Sequence, residues 1–161
     1  MRNNQVPPLE IEDDTIRKLL SFYLHYAPTI ESKTATEVSD ERLQRNWNDF
    51  FTDAHFTSFK IYSEGKILTE KIFTDNALGD AQKLSRKVLS IVCKRKNKDE
   101  KDYECVLRHI RNSIAHNNVY IVNTGNRKFV LFEDYNKNGN ITSRMLLSQT
   151  ILSKLKKIIV K

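Results

Sequence analysis

The chain has 161 residues, 39% of them hydrophobic and 29% charged, with four Gly and three Pro, which suits one domain with a sizeable core and excludes a disordered or collagen-like polymer. Twenty-seven Lys and Arg against 20 Asp and Glu give a net charge of +7 and a pI near 9.4. No apolar run is long enough to cross a bilayer, the polar and acidic start lacks the apolar stretch of a signal peptide, and two cysteines, Cys93 and Cys105, are too few for a disulfide scaffold or a zinc site, so the expected compartment is the cytoplasm.

Residues 14–27 predict a helix: Ile16, Leu19, Leu20, Tyr23 and Ala27 recur at steps of three and four, after Asp13 and Asp14 as caps. Residues 28–38 are polar and β-branched and predict a loop. A longer helix follows Ser39, with Asp40 and Glu41 in its first turn. Its stripe is Leu43, Trp47, Phe50, Phe51 and Ala54, continuing to Phe59 and Tyr62 and ending at Ser63-Glu64-Gly65. Residues 66–73 read as a short turn or an extended linker. A third helix is expected from Asp75, carrying Leu78, Ala81, Leu84, Val88 and Val92 and ending in the basic run 94–98. The fourth spans about 99–116, where Asn117 and Asn118 suit the left-handed closure of a helix.

The period then changes. Residues 119–122 and 128–133 are β-branched and aromatic, and Asn138-Gly139 is a strong hairpin signal before a returning strand at 141–146. Ser148 caps a last helix bearing Ile151, Leu155, Ile158 and Ile159. The order is four helices, a small antiparallel meander and one helix.

Charge is uneven along the chain. Residues 83–98 hold seven bases and no acid, whereas Glu10, Glu12, Asp13 and Asp14 crowd the start. A basic segment of this kind suits a polyanion such as nucleic acid, although bases near a helix C-terminus also complement its dipole. The bases Lys94, Arg95 and Lys96 are candidate substrate-binding residues.

The fourth helix carries the chemistry. On a wheel with Arg111 at zero, Tyr103, Val106, Leu107, Ile110 and Ile114 fall within roughly 220–320°, the buried face. Arg111, Arg108, Asn112, His116 and His109 fall between about 0 and 160°. An amphipathic helix places polar residues outside whatever its role, but an Arg, an Asn and a His together at a helix end also supply the parts for phosphodiester cleavage. Imidazole moves protons near neutral pH, guanidinium holds two phosphate oxygens, and an amide orients either. Arg111 and His116 stand about 140° apart on one helix, so both reach one phosphate only with a distorted helix end or a second copy. A two-fold axis would bring two of each residue into one cleft.

The segment RHIRNSIAHNN resembles the HEPN superfamily, whose hallmark is an Arg, a polar residue, a few further positions and a His near the end of a helix. Arg111, Asn112 and His116 match that pattern over residues 10–118. The resemblance implies a mainly α fold within a single domain of residues 1–161: a four-helix bundle (10–118), a β-hairpin extension (119–147) and a C-terminal helix (148–160). It implies a homodimeric endoribonuclease that needs no metal or other cofactor, acting as a toxin or antiphage effector, with RNA as substrate and a cognate antitoxin as a further partner. Carried over, His116 would be the general acid/base, Arg111 would hold the scissile phosphate and Asn112 would orient one of them, with Arg108 and His109 added to the substrate-binding bases. The alternative is a non-catalytic module that binds RNA or protein. The tyrosine that some members present two residues after the His is Asn118 here, so the resemblance does not extend to their nucleotidyltransferase partner.

Other constellations carry less. His25 and His55 have no metal-ligand spacing, and four scattered glycines build no phosphate loop. Cys105 lies one turn from His109, a thiol–imidazole spacing with no further sequence support. Trp47, Phe50, Phe51 and Phe59 at helical spacing read as core.

Overall fold

The computed structural model describes residues 11–26, 40–79, 88–124 and 127–160. The expected loop at 28–38, and Lys83, Arg86, Lys87, Ala81 and Leu84 of the expected third helix, lie outside these residues. The described elements run in the order α1 (Asp14–Tyr26), α2 (Asp40–Ala54), β1 (Ser58–Tyr62), α3 (Glu70–Asp75), β2 (Ser90–Lys94), α4 (Asp102–Ala115), β3 (Val119–Thr124), β4 (Arg127–Tyr135), β5 (Ile141–Ser148) and α5 (Gln149–Val160). The strands form one five-stranded sheet in the order β1-β2-β5-β4-β3. Strands β1 and β2 are parallel, and the other pairs are antiparallel.

This corrects the expected mainly α fold with a four-helix bundle. The sheet draws two strands from the stretch assigned to the bundle and three from the stretch assigned to the hairpin extension. The second helix stops at Ala54 instead of running to Tyr62, because His55 takes a left-handed φ of 53° and the chain turns into β1. The expected third helix is overturned at 90–94. Val88 and Val92 sit four apart, but SIVCK is a strand buried throughout its first four residues. Such a strand loses the alternation that marks a half-exposed one and mimics a buried helix segment.

Both sheet faces are covered, which the alternation along each strand records. On one face Ile91, Cys93, Val119, Val130, Phe132, Met145 and Leu147 pack against α1, α2, α4 and α5. On the other, Val92, Tyr120, Val122, Phe129, Leu131 and Leu146 pack with Leu68, Phe73 and Leu78 around α3. Asn138-Gly139 closes the β4–β5 hairpin as expected. Gly139 takes φ 82°, and the Asn136 side chain accepts from the backbone N–H of Asn138 and of Asn140 at 2.9 and 3.0 Å. Ser148 caps α5, its Oγ accepting from Ile151 N–H at 3.1 Å. Asp13 caps α1 in the same way through Ile16 N–H at 3.0 Å.

Buried on the second face, Arg144 donates to Glu133 Oε2 from Nε at 2.9 Å and to the Leu78 carbonyl at 2.9 Å. Its guanidinium lies over the Phe73 ring, 4.4 Å from the centroid. A buried charge needs this number of partners. No helix among the described residues is long and apolar enough to cross a membrane.

Candidate functional site

Helix α4 begins beyond a capping contact in which Lys101 N–H donates to Glu104 Oε1 at 3.1 Å. It closes as the sequence predicts. Asn117 takes φ 59°, its N–H donates to the Ile114 carbonyl at 3.2 Å, and Asn118 N–H reaches the Ser113 carbonyl at 2.8 Å. That pair of bonds is the Schellman closure. It sets His116 at the helix end with its side chain exposed.

The predicted apolar face is buried: Tyr103, Val106, Leu107, Ile110 and Ile114 are each at most 3% exposed. A second stripe, Cys105, His109 and Ser113, is buried as well, because the sheet covers a flank of α4 that the wheel alone leaves open. His109 therefore sits under the sheet end. Its Nδ1 lies 2.8 Å from Asp134 Oδ2 on β4, and its Nε2 lies 2.8 Å from the Lys94 carbonyl at the end of β2. With a carboxylate on one nitrogen and a carbonyl on the other, both nitrogens carry protons. Burial alone pushes the imidazole pKa down, but Asp134 and the nearby Cys105 outweigh it and hold His109 at about 9.

Arg108 is half-buried and committed to Glu100, a carboxylate with 1% side-chain exposure, through Nε at 2.6 Å and Nη2 at 3.0 Å. Its Nη2 also reaches the Lys94 carbonyl at 3.2 Å. Arg95 is committed to Asp102 at 2.6 Å and to the Glu100 carbonyl. Burial raises the Glu100 carboxyl, but Arg108 and the Lys96 N–H pull it below the ordinary range.

A cleft of about 400 Å³ opens between the β2–α4 connection and the β4–β5 hairpin. Six of the eight expected site residues line it: Lys94, Arg95, Lys96, Arg108, His109 and Asn112. Arg111 and His116 do not line it. Arg111 is half-buried, His116 is exposed, and neither side chain has a hydrogen-bond or ion-pair partner among the described residues. His25 and His55 are exposed.

The residue that sequence reading missed is Asp134. Its Oδ2 accepts from Asn112 Nδ2 at 3.3 Å as well as contacting His109. A carboxylate only accepts, so the amide nitrogen faces it and Asn112 Oδ1 is left as an acceptor elsewhere. Nothing in the spacing of Asp134 signals this, since the contact bridges 22 residues.

A family model described as HEPN pEK499 p136 matches residues 17–161. The chain belongs to this HEPN family. Searches of the curated proteins and of the solved structures give no match. HEPN membership carries a general nuclease or RNA-related function and an expectation of RNA contact, and the matched span contains α4 with Arg111, Asn112 and His116.

Proposed function

We propose that the chain is an endoribonuclease that cuts RNA by attack of the ribose 2′-OH without metal assistance, as a homodimer and in the role of a toxin or antiphage effector. The observation that carries the reading is that one HEPN-family helix presents a guanidinium, Arg111, and an exposed imidazole, His116, that have no hydrogen-bond or ion-pair partner among the described residues. The other two basic side chains of that face, Arg108 and His109, are already committed to Glu100 and Asp134.

In the mechanism, His116 takes the 2′-OH proton or gives one to the leaving 5′-oxygen. Arg111 binds the nonbridging phosphate oxygens and meets the charge that grows on them in the pentavalent transition state. Asn112, with its amide nitrogen turned to Asp134, offers Oδ1 to an N–H of His116 or to a substrate hydroxyl. Lys94 and Lys96 along the cleft carry the flanking phosphates. Because one helix separates Arg111 from His116 by about 140°, the working pair takes one residue from each subunit.

The second reading is a module that binds RNA without cutting it. It is favoured by the cleft itself, which Lys94 and Lys96 line and Arg111 and His116 do not. Incubation of the protein with single-stranded RNA in chelator, followed by mass spectrometry of the ends, decides between the two. The nuclease leaves 2′,3′-cyclic phosphate and 5′-hydroxyl ends and spares DNA, which lacks the attacking hydroxyl. Intact RNA with salt-dependent retention would establish the binder instead.

A further inference from the structure

Beneath the polar face of α4, three soft or borderline donors from two elements meet in the core. Cys93 on β2, and Cys105 and His109 on α4, place their Sγ, Sγ and an imidazole nitrogen within 4.8 Å of one another, and all three residues are buried. The four-residue step aligns Cys105 and His109 on one helix flank. The sheet then presents Cys93 to that flank, because Cys93 points to the helical side of β2. The Lys94 carbonyl oxygen is a fourth donor, 2.8 Å from His109 Nε2 and 3.4 Å from Cys105 Sγ, while the two sulfurs are 3.5 Å apart.

We propose that Cys93, Cys105, His109 Nε2 and the Lys94 carbonyl form a structural zinc site that ties β2 to α4. Tetrahedral zinc takes sulfur at about 2.3 Å and nitrogen or oxygen at about 2.0–2.2 Å, which sets ligand-to-ligand edges of roughly 3.3–3.8 Å. The three edges at 2.8, 3.4 and 3.5 Å are shorter than these by about half an ångström or less, so those donors move slightly outward as the ion enters. Two thiolates and a neutral imidazole around a divalent ion sum to zero charge, the state that a buried site tolerates. Binding releases two thiol protons and the Nε2 proton.

The surroundings are built for it. Asp134 accepts from Nδ1 at 2.8 Å, the carboxylate–histidine arrangement that orients a metal-bound imidazole and leaves Nε2 to the ion. Arg108, whose Nη2 lies 3.3 Å from Nε2, has its charge matched by Glu100. Counting cysteines along the chain misses the site because its third and fourth donors come from the helix step and the strand end. The ion sits beneath the helix, apart from Arg111 and His116, and has no part in the proposed cleavage.

The test uses the reduced, metal-stripped full chain loaded with zinc alone and examined by X-ray absorption. The expected shell contains two sulfurs at about 2.3 Å with nitrogen and oxygen at about 2.0–2.2 Å, at one zinc per chain. A shell of nitrogen and oxygen only, or no stoichiometric uptake, overturns the site. Asp134→Asn is expected to weaken zinc binding about 10–100-fold, and Cys93→Ser with Cys105→Ser to abolish it. Undiminished uptake by a folded double variant also overturns the site, and the absorption measurement on the unaltered protein stands if that variant does not fold.

Discussion

Replacing His116 with Ala is expected to slow RNA cleavage by about 10²–10⁴-fold, the usual contribution of a positioned general acid/base. Replacing Arg111 with Ala is expected to cost about 10²–10³-fold, the scale of losing one group that meets transition-state charge. Neither change should alter the fold. His116 is exposed at the end of α4 and Arg111 is half-buried, and neither has a partner among the described residues. The helix closure around His116 runs through backbone bonds from Asn117 and Asn118 that a side-chain truncation leaves in place. Circular dichroism and the urea midpoint should therefore match the parent while single-turnover cleavage falls. A His116→Ala protein that cuts at the parental rate would remove the imidazole from the mechanism.

A large stability effect is expected at Glu100. Its carboxylate joins two parts of the β2–α4 connection, accepting two hydrogen bonds from Arg108 and one from the Lys96 N–H at 3.0 Å, while its backbone carbonyl accepts from Arg95. Glu100→Gln leaves the half-buried Arg108 without an opposing charge, a change that costs about 3–5 kcal/mol when one partner of a buried pair is removed. Arg108 retains a route to solvent at 15% side-chain exposure, which places the expected loss at the lower end, about 3 kcal/mol.

The pH dependence follows from direction. Glu100 has its pKa depressed in the folded protein, so its stabilisation is complete above the unfolded carboxyl value of about 4.3 and is lost as pH falls through the lower folded value. The gap in urea midpoint between parent and Glu100→Gln should be widest at neutral pH and should close in acid. A gap that stays constant into strong acid would show that the charge pairing is not its source.

Much of the helical half was legible because its signals are local. The stripe of α1, that of α2 at Leu43, Trp47, Phe50 and Ala54 (Phe51, expected in the core, is exposed), the polar-to-apolar division of α4 and the Asn117-Asn118 closure each lie within one element. The Asn138-Gly139 turn and the Ser148 cap are local too. The sheet was not legible as a whole. Strand β2 is covered on both faces and reads as a continuous apolar run, and β1 carries Phe59 and Tyr62 at a spacing that a helix also uses. The pairing of β2 with β5, from Ser90 with Leu146 to Cys93 with Ser143, joins distant parts of the chain, and no spacing rule reaches that far.

The site followed the same division. Arg111, Asn112 and His116 came from spacing on one helix, together with the resemblance that the family match supports. Their surroundings did not. His109 reads as exposed on a bare wheel and is buried because β4 and the end of β2 close over it. Asp134, Glu100 and the meeting of Cys93 with Cys105 all depend on that same closure. The missed strand β2 and the long-range approach of β4 to α4 thus account for most of what the sequence withheld about the site.

The central claim is that a guanidinium of one subunit and an imidazole of the other act on one phosphate. Mixing Arg111→Ala protein with His116→Ala protein under conditions that exchange subunits tests it most directly. Each variant alone is nearly inactive, but a mixed dimer retains one intact Arg111 and one intact His116 on opposite chains, so equal amounts should recover about a quarter of the unaltered rate, half of the dimers being mixed and each keeping one of two symmetry-related pairs. Mixed dimers that form and remain as inactive as either variant would contradict the account.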